Sequence, residues 1–276
     1  MSNKVTPISL EKFRELHNVP IVDLVSLGLF DGEDCRFLEK EFGYLRGFER
    51  LLHLIKGVSV LITNPGPILK NIDQVVFNQL KDFKKYSKDI EKPINERYPI
   101  SDYINKASIV SSFSPKNILE IGTFYGWGAA SFKVAAPRAT IYTINPEVTD
   151  NANNPIRLDK IGEAFKKKNL EVNQIWADST KFDFTTLPKI DVTYIDGNHD
   201  YEFVYKDLEN TSKITEKAIL LDDYIPDKNS PRGDVRAWGP WNESVVRAVN
   251  DFLYDNEKIF KYAYWIEHTP ICVLIK

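Results

Sequence analysis

The feature that most constrains this chain is a change of texture near residue 99, after which short apolar runs alternate with longer amphipathic stretches. The runs at 117–121, 140–144, 173–177, 192–195 and 218–221 read as strands. Strands separated by helices are the mark of βαβ units, and so of a parallel sheet with helices on both faces. Two later runs, 260–265 and 271–275, flank the turn-like segment 267–270 and read as a closing hairpin. The expected fold class is therefore α/β, a doubly wound, mainly parallel seven-stranded sheet with a terminal antiparallel hairpin. No internal repeat or low-complexity segment interrupts it.

Ahead of residue 99 the pattern is helical. Leu38, Phe42, Leu45, Phe48, Leu52 and Ile55 recur at steps of three and four within 33–55, and Ile72, Val76, Leu80 and Phe83 do so after the loop Asn64-Pro65-Gly66-Pro67. Pro93 and Pro99 bracket a break, and Ser101-Asp102 is placed to cap a short helix running to about Phe113. Two parts are expected: a mainly helical N-terminal accessory segment at 1–99 and the α/β domain at 100–276.

Composition narrows the partners. At 276 residues with 43% hydrophobic and 12% aromatic content, the chain can bury a sizeable core. No stretch approaches the roughly 20 apolar residues of a membrane span, and the N-terminus shows no secretory pattern, so a cytoplasmic location and no membrane partner are expected. A net charge of -3 offers no basic face for nucleic acid, which leaves small molecules as expected partners. Lys166, Lys167 and Lys168 read as a solvated helix face. Cys35 and Cys272 are too far apart in sequence to suggest a metal knuckle and read as buried thiols. The oligomeric state stays open, with a homo-oligomer allowed.

In a doubly wound sheet ligands sit outside the carboxyl ends of the strands, at the point where strand order reverses. The first strand runs into Glu120-Ile121-Gly122-Thr123-Phe124-Tyr125-Gly126-Trp127-Gly128. Glycines here permit a tight turn and close approach of a ligand to backbone, and the following helix presents free N–H groups. A dinucleotide fingerprint fits poorly, because Gly126-Trp-Gly128-Ala-Ala-Ser131 is displaced from the strand and lacks a third glycine, although Glu147 stands where a ribose-binding acid is sought. A plain strand-to-helix turn is the bland alternative.

The form ExGxxxGxG, with Asp178-Ser179 after the third strand, Tyr194-Ile195-Asp196-Gly197-Asn198-His199-Asp200-Tyr201-Glu202, Asp207-Leu208 and Ile219-Leu220-Leu221-Asp222-Asp223-Tyr224, resembles class I S-adenosylmethionine-dependent methyltransferases. The IDGxHxYE segment and the Asp-Tyr ending resemble the metal-dependent macrolide-sugar O-methyltransferases of the macrocin and mycinamicin kind, with catechol O-methyltransferase a more distant likeness. The resemblance covers about residues 115–276. It implies S-adenosylmethionine as cofactor, held by Glu120, Gly122, Thr123, Tyr125, Gly126, Asn145, Asp178 and Ser179. In it the acid orients the methionine end, the glycines make room for it, and Asp178-Ser179 recognises adenine. It further implies a hydroxylated small-molecule acceptor such as a sugar. The chain departs from the family at the end of the second strand, where Asn145 replaces the usual ribose-binding acid and Glu147 follows. On this reading Gly122→Val obstructs the cofactor while leaving a folded chain.

Asp196 and the pair Asp222-Asp223 end neighbouring strands in this topology, so three carboxylates converge on one sheet edge, an arrangement unfavourable without a cation. An all-oxygen set favours a hard ion, and Mg²⁺ is the expected metal at Asp196, Asp222 and Asp223. His199, three residues beyond Asp196, is the expected general base. The bland alternative makes one aspartate a cap and another solvent-exposed. His17, His53 and His268 have no acidic constellation around them and read as core or surface residues. A loop between Tyr224 and Glu243, with Arg232, Arg236, Trp238 and Trp241, suits either ring binding or simple packing. The expected activity is a Mg-dependent O-methyltransferase, and the alternative is a non-catalytic protein of the same fold serving in binding or assembly.

Overall fold

The structure, a computed structural model, describes residues 5–22, 24, 27–29, 99–147, 158–226, 240–267 and 269–276. The helical patterns at 33–55 and 72–83, the loop 64–67, Cys35, His53 and His268 lie outside the described residues, as do Arg232, Arg236 and Trp238. The chain divides into two compact units, one made of 1–20, 106–230 and 238–276, the other of 21–105 and 231–237. Of the second unit, Leu24 and Leu29 are buried.

Strands β1 (Thr6–Ile8), β2 (Asn117–Ile121), β3 (Thr140–Asn145), β4 (Asn173–Trp176), β5 (Ile190–Ile195), β6 (Thr215–Leu221), β7 (Tyr262–Ile266) and β8 (Cys272–Ile275) form one sheet in the order β1-β7-β8-β6-β5-β2-β3-β4. β2 lies parallel between β3 and β5, β4 extends the sheet beyond β3, and β6 lies parallel to β5. β8 runs antiparallel to both β6 and β7. The mainly parallel sheet and its terminal hairpin are as expected. The eighth strand is an addition: Thr6–Ile8 pairs parallel with Tyr264–Ile266 at one edge, where Pro7 is tolerated.

The residues next to β1 explain how so short a strand holds. Ser9 accepts a hydrogen bond from the backbone N–H of Lys12 at 3.1 Å and so caps α1 (Leu10–His17), and Asn18 ends it in the left-handed region at φ 49. That short helix buries Phe13 completely, with its ring 5.7 Å from Tyr264 of β7.

Two helix starts differ from expectation for one reason. α2 (Pro99–Ser112) begins at Pro99 itself rather than after Ser101-Asp102, and α6 (Pro240–Asp255) begins inside the expected loop before Glu243. Proline suits the first helical position, where its missing N–H has no partner to lose. Among the described residues the other α-helices, α3 (Trp127–Ala135), α4 (Glu163–Lys167) and α5 (Tyr201–Ser212), each follow a strand end or loop at the carboxyl edge. Lys166 and Lys167 are exposed on α4, as a solvated face requires.

One core cluster joins Val204 and Leu208 of α5 and Val245, Ala248, Val249 and Phe252 of α6 to Ile195, Ile219, Leu221, Cys272 and Leu274 of the sheet. A second gathers Leu119, Ile121, Ile144, Phe184 and Ile190. Each large apolar side chain so buried contributes about 1.5–3 kcal/mol. Cys272 is a buried free thiol, as read from the sequence.

Candidate active site at the switch point

The chain runs β2 to β3 to β4 in one direction across the sheet, then returns to place β5 on the other side of β2. Strand order reverses between β2 and β5, so the expected ligand crevice opens at their carboxyl ends. The ladder continues one residue past each strand there. Gly122 N–H donates to Ile144 O at 3.0 Å, Asp196 N–H to Ile121 O at 2.8 Å, Asp222 N–H to Ile195 O at 3.0 Å and Ala177 N–H to Asn145 O at 3.0 Å. These bonds bring the glycine loop, Asp196 and Asp222 to a common edge.

Glu120 lies under the loop. It is 1% exposed, accepts from the Thr143 hydroxyl at 2.6 Å, and Thr143 in turn stands 2.7 Å from the Thr123 hydroxyl. Burial pushes its carboxyl up to about 8, against the Thr143 bond, with the Asp196 charge adding to the rise. Gly128 has no Cβ because Glu120 Oε1 occupies that space. Glu120 thus supports the loop from beneath. In the unfolded chain its proton leaves near the ordinary value of 4.5, while in the folded chain it stays until about 8. The folded state therefore holds the extra proton, and this group lowers stability as pH rises through that window. Glu120→Gln is expected to show a shallower loss of stability between about pH 4.5 and pH 8 than the parent, measured by denaturant unfolding.

Gly122 adopts φ +98, and a Cβ there would meet the Asp196 carbonyl. Its smallness serves the approach of β5 backbone, so the expectation that Gly122→Val leaves a folded chain is corrected. Gly126, at φ +82, starts α3 without a side-chain cap and packs on Phe165, whose ring lies 2.6 Å from where its Cβ would be. The loop is clipped to the start of α4: Gly162 N–H donates to Phe124 O at 2.8 Å and Ala164 N–H to Tyr125 O at 2.9 Å.

Asn145 is 6% exposed, and its amide is used at both ends. Oδ1 accepts from Phe124 N–H at 3.3 Å and Nδ2 donates to Pro146 O at 2.9 Å. It braces the loop, while Glu147 just beyond is exposed. Asp178 closes a turn, accepting from Thr180 N–H at 3.0 Å, Thr180 Oγ1 at 2.7 Å and Lys181 Nζ at 2.9 Å, and these bonds hold its carboxyl below the usual range. Behind it, Asp207 of α5 is 1% exposed; burial raises its carboxyl to about 7 against a hydrogen bond from Ser179.

The acidic edge assembles as the strand ends require. Asp196 and His199 approach to 3.4 Å, and His199 Nε2 stands 3.6 Å from Asp223 Oδ2. Asp223 sits at φ 55, where Asp is tolerated. Asn242 Nδ2 holds its carbonyl at 3.0 Å, and Tyr224 N–H anchors the next residue on Pro270 O at 2.9 Å. Burial, with the charges of Asp222 and Asp196, raises Asp223 to about 7 against the pull of His199. On His199 burial pulls downward most strongly, but the Asp196 hydrogen bond and the charges of Asp223, Asp196 and Asp222 outweigh it and raise the imidazole to about 9.

Two residues without an expected role enter here. Tyr194 OH lies 2.9 Å from Asp196 Oδ2 and 3.1 Å from Asp222 Oδ2, its ring edge-on to Phe132 of α3. Lys106 of α2, 2% exposed, places Nζ 2.7 Å from Asp222 Oδ2. A charge among the buried Ile104, Ala107, Ile109 and Val110 is the signal that could have marked it. Asp196 and Asp222 therefore meet protein donors, and Asp223 stands in ion-pair range of the His199 imidazole. Among the described residues no group of three or more His, Cys, Asp or Glu side chains is placed to hold a metal ion. With an ammonium on Asp222 and an imidazole between Asp196 and Asp223, the donor set as arranged does not fit the expected magnesium ion.

Residues 119–224, which carry the glycine loop and the acidic edge up to Tyr224, match the family model described as a methyltransferase domain. The match covers less than half of the chain. No curated protein matches the chain. Among solved structures, the methyltransferase PaMTH1 of Podospora anserina bound to SAH is 20% identical, with 65% of this chain and 82% of that one covered and a TM-score of 0.46. An O-methyltransferase of Bacillus cereus in complex with SAH is 15% identical, over 80% and 96% of the two chains, with a TM-score of 0.48. MycE of the mycinamycin pathway, in complex with Mg, SAH and mycinamycin VI, is 15% identical over 57% of this chain and 44% of that one, with a TM-score of 0.38. These likenesses carry no residue roles or substrates to this chain. No described helix is long and apolar enough to cross a membrane.

Proposed function

We propose that the chain is an S-adenosylmethionine-dependent O-methyltransferase whose acceptor is a hydroxyl of a sugar or other small molecule. The observation that carries the reading is the meeting of the glycine loop with Asp196 at the reversal of strand order, within the stretch that matches the methyltransferase model. The cofactor, when bound, supplies a methyl group on a sulfonium. The residues present suit it: the N-terminus of α3, whose cap residue Gly126 brings no side chain, the backbone of Thr123 to Gly126, exposed Glu147 beyond β3, and Asp178-Ser179 beyond β4. His199 takes the acceptor proton, oriented by Asp196 at 3.4 Å, and Tyr194 fixes the Asp196 carboxylate from its other oxygen. Holding acceptor and methyl group in line supplies most of the remaining acceleration.

Calorimetric titration tests this directly. S-adenosylmethionine and its demethylated product should bind the full chain, and NAD should not displace them, with magnesium present or absent as separate arms. No binding of either at millimolar concentration overturns the reading. A second reading, a non-catalytic protein of this fold, is favoured by one observation, the full use of the Asn145 amide within the protein. It predicts that same lack of binding in a natively folded chain.

A further inference from the structure

Lys106 has no part in the proton transfer above, yet its ammonium lies inside the acidic edge. The residue is 2% exposed, and Nζ lies 2.7 Å from Asp222 Oδ2 and 5.2 Å from the centre of the Tyr194 ring. Tyr194 OH links that same oxygen to Asp196 Oδ2. An ammonium-to-carboxylate contact of this length is a charge-assisted bond, and a carboxylate so deep is costly without one. Asp222 shows only 13% of its side chain.

We propose that Lys106 is a positioning residue and the resident cation of the Asp196, Asp222 and Asp223 cluster, holding Asp222 and, through Tyr194, Asp196 in place and opposing a divalent ion there. A magnesium or manganese ion demands oxygens at about 2.0–2.2 Å in near-octahedral array. Asp222 Oδ2 cannot give that contact while it accepts from Lys106. The ammonium also repels the incoming ion. Even at the dielectric of water, one unit charge about 5 Å from a divalent ion changes its affinity by more than tenfold. The inference goes beyond methyl transfer and does not require it, since its test reads ion binding and not turnover.

The probe is manganese, titrated into the full chain and followed by the electron paramagnetic resonance of the free ion. The parent and Lys106→Arg are expected to bind weakly and alike, and Lys106→Met at least about tenfold more tightly. A purely structural lysine would change melting temperature without that gain. Because Lys106→Met leaves a buried carboxylate without its ammonium, the comparison is repeated between Asp222→Asn and the double variant Asp222→Asn with Lys106→Met, where no such charge remains. The same tightening is expected. Unchanged or weaker manganese binding on removal of Lys106 in that neutral background overturns the proposal, as does micromolar binding by the parent.

Discussion

Replacing His199 with glutamine is expected to slow turnover by about 10²- to 10⁴-fold while leaving cofactor binding intact. Glutamine keeps hydrogen-bonding capacity towards Asp196 but cannot take a proton at neutral pH. The carboxylates around His199 raise it to about 9, so at neutral pH roughly one molecule in a hundred carries the imidazole free to accept a proton. kcat/KM of the parent should therefore climb as pH rises towards 9, and the climb should vanish in the variant. The same shift has a stability consequence of known sign. A raised histidine stabilises the fold fully below its unfolded value of 6.5 and loses that contribution as pH passes through about 9. Turnover within a few-fold of the parent, with chemistry rate-limiting, removes His199 from the base role.

Gly122→Val should be the most damaging single change to stability at the site. A Cβ at this position meets the Asp196 carbonyl, its carbon at 2.5 Å and Gly197 Cα at 3.0 Å, all of them backbone. Backbone at the centre of a parallel sheet cannot swing aside as a long side chain can. The left-handed φ of +98 adds strain for any branched residue. A loss of at least about 4 kcal/mol is expected, enough to leave little folded protein. Circular dichroism and thermal melting read it, and a variant that melts within a few degrees of the parent contradicts the packing argument.

Much of the sheet was legible because its strands are local. The run 117–121 coincides with β2, and the other expected strands differ by a few residues at their ends. β1 was not legible, since three residues of Thr-Pro-Ile show no alternation and become a strand through Tyr264 to Ile266, far along the chain. The acidic edge was legible for a topological reason: in a parallel sheet the residues after each strand share one edge, so Asp196, His199, Asp222 and Asp223 meet without any need to see side chains. Lys106 was hidden because it comes from the helix before the first parallel strand, and its contact to Asp222 spans 116 residues. Asn145 shows a third limit. Its position marks the end of β3, but whether its amide faces a sugar or braces Phe124 depends on a loop conformation that residue identity does not dictate.

The pairing of Thr6–Ile8 with Tyr264–Ile266 also sets a timetable for assembly. Strands β2 to β6 lie contiguous in the sheet and are synthesised by residue 221, so this parallel core, with the edge that bears Asp196 and Asp222, has all its partners before α6 is made. β1 emerges first and waits longest. β7 and β8 must be in place before it has a partner, and closing so long a loop is slow because its entropy is lost before any contact rewards it. During elongation the free side of β6 is therefore an open template for strand pairing until Cys272–Ile275 fills it. A ribosome that pauses before residue 272 holds a parallel core with one flank unpaired and with Tyr224 still without its anchor on Pro270, a stage exposed to association between copies.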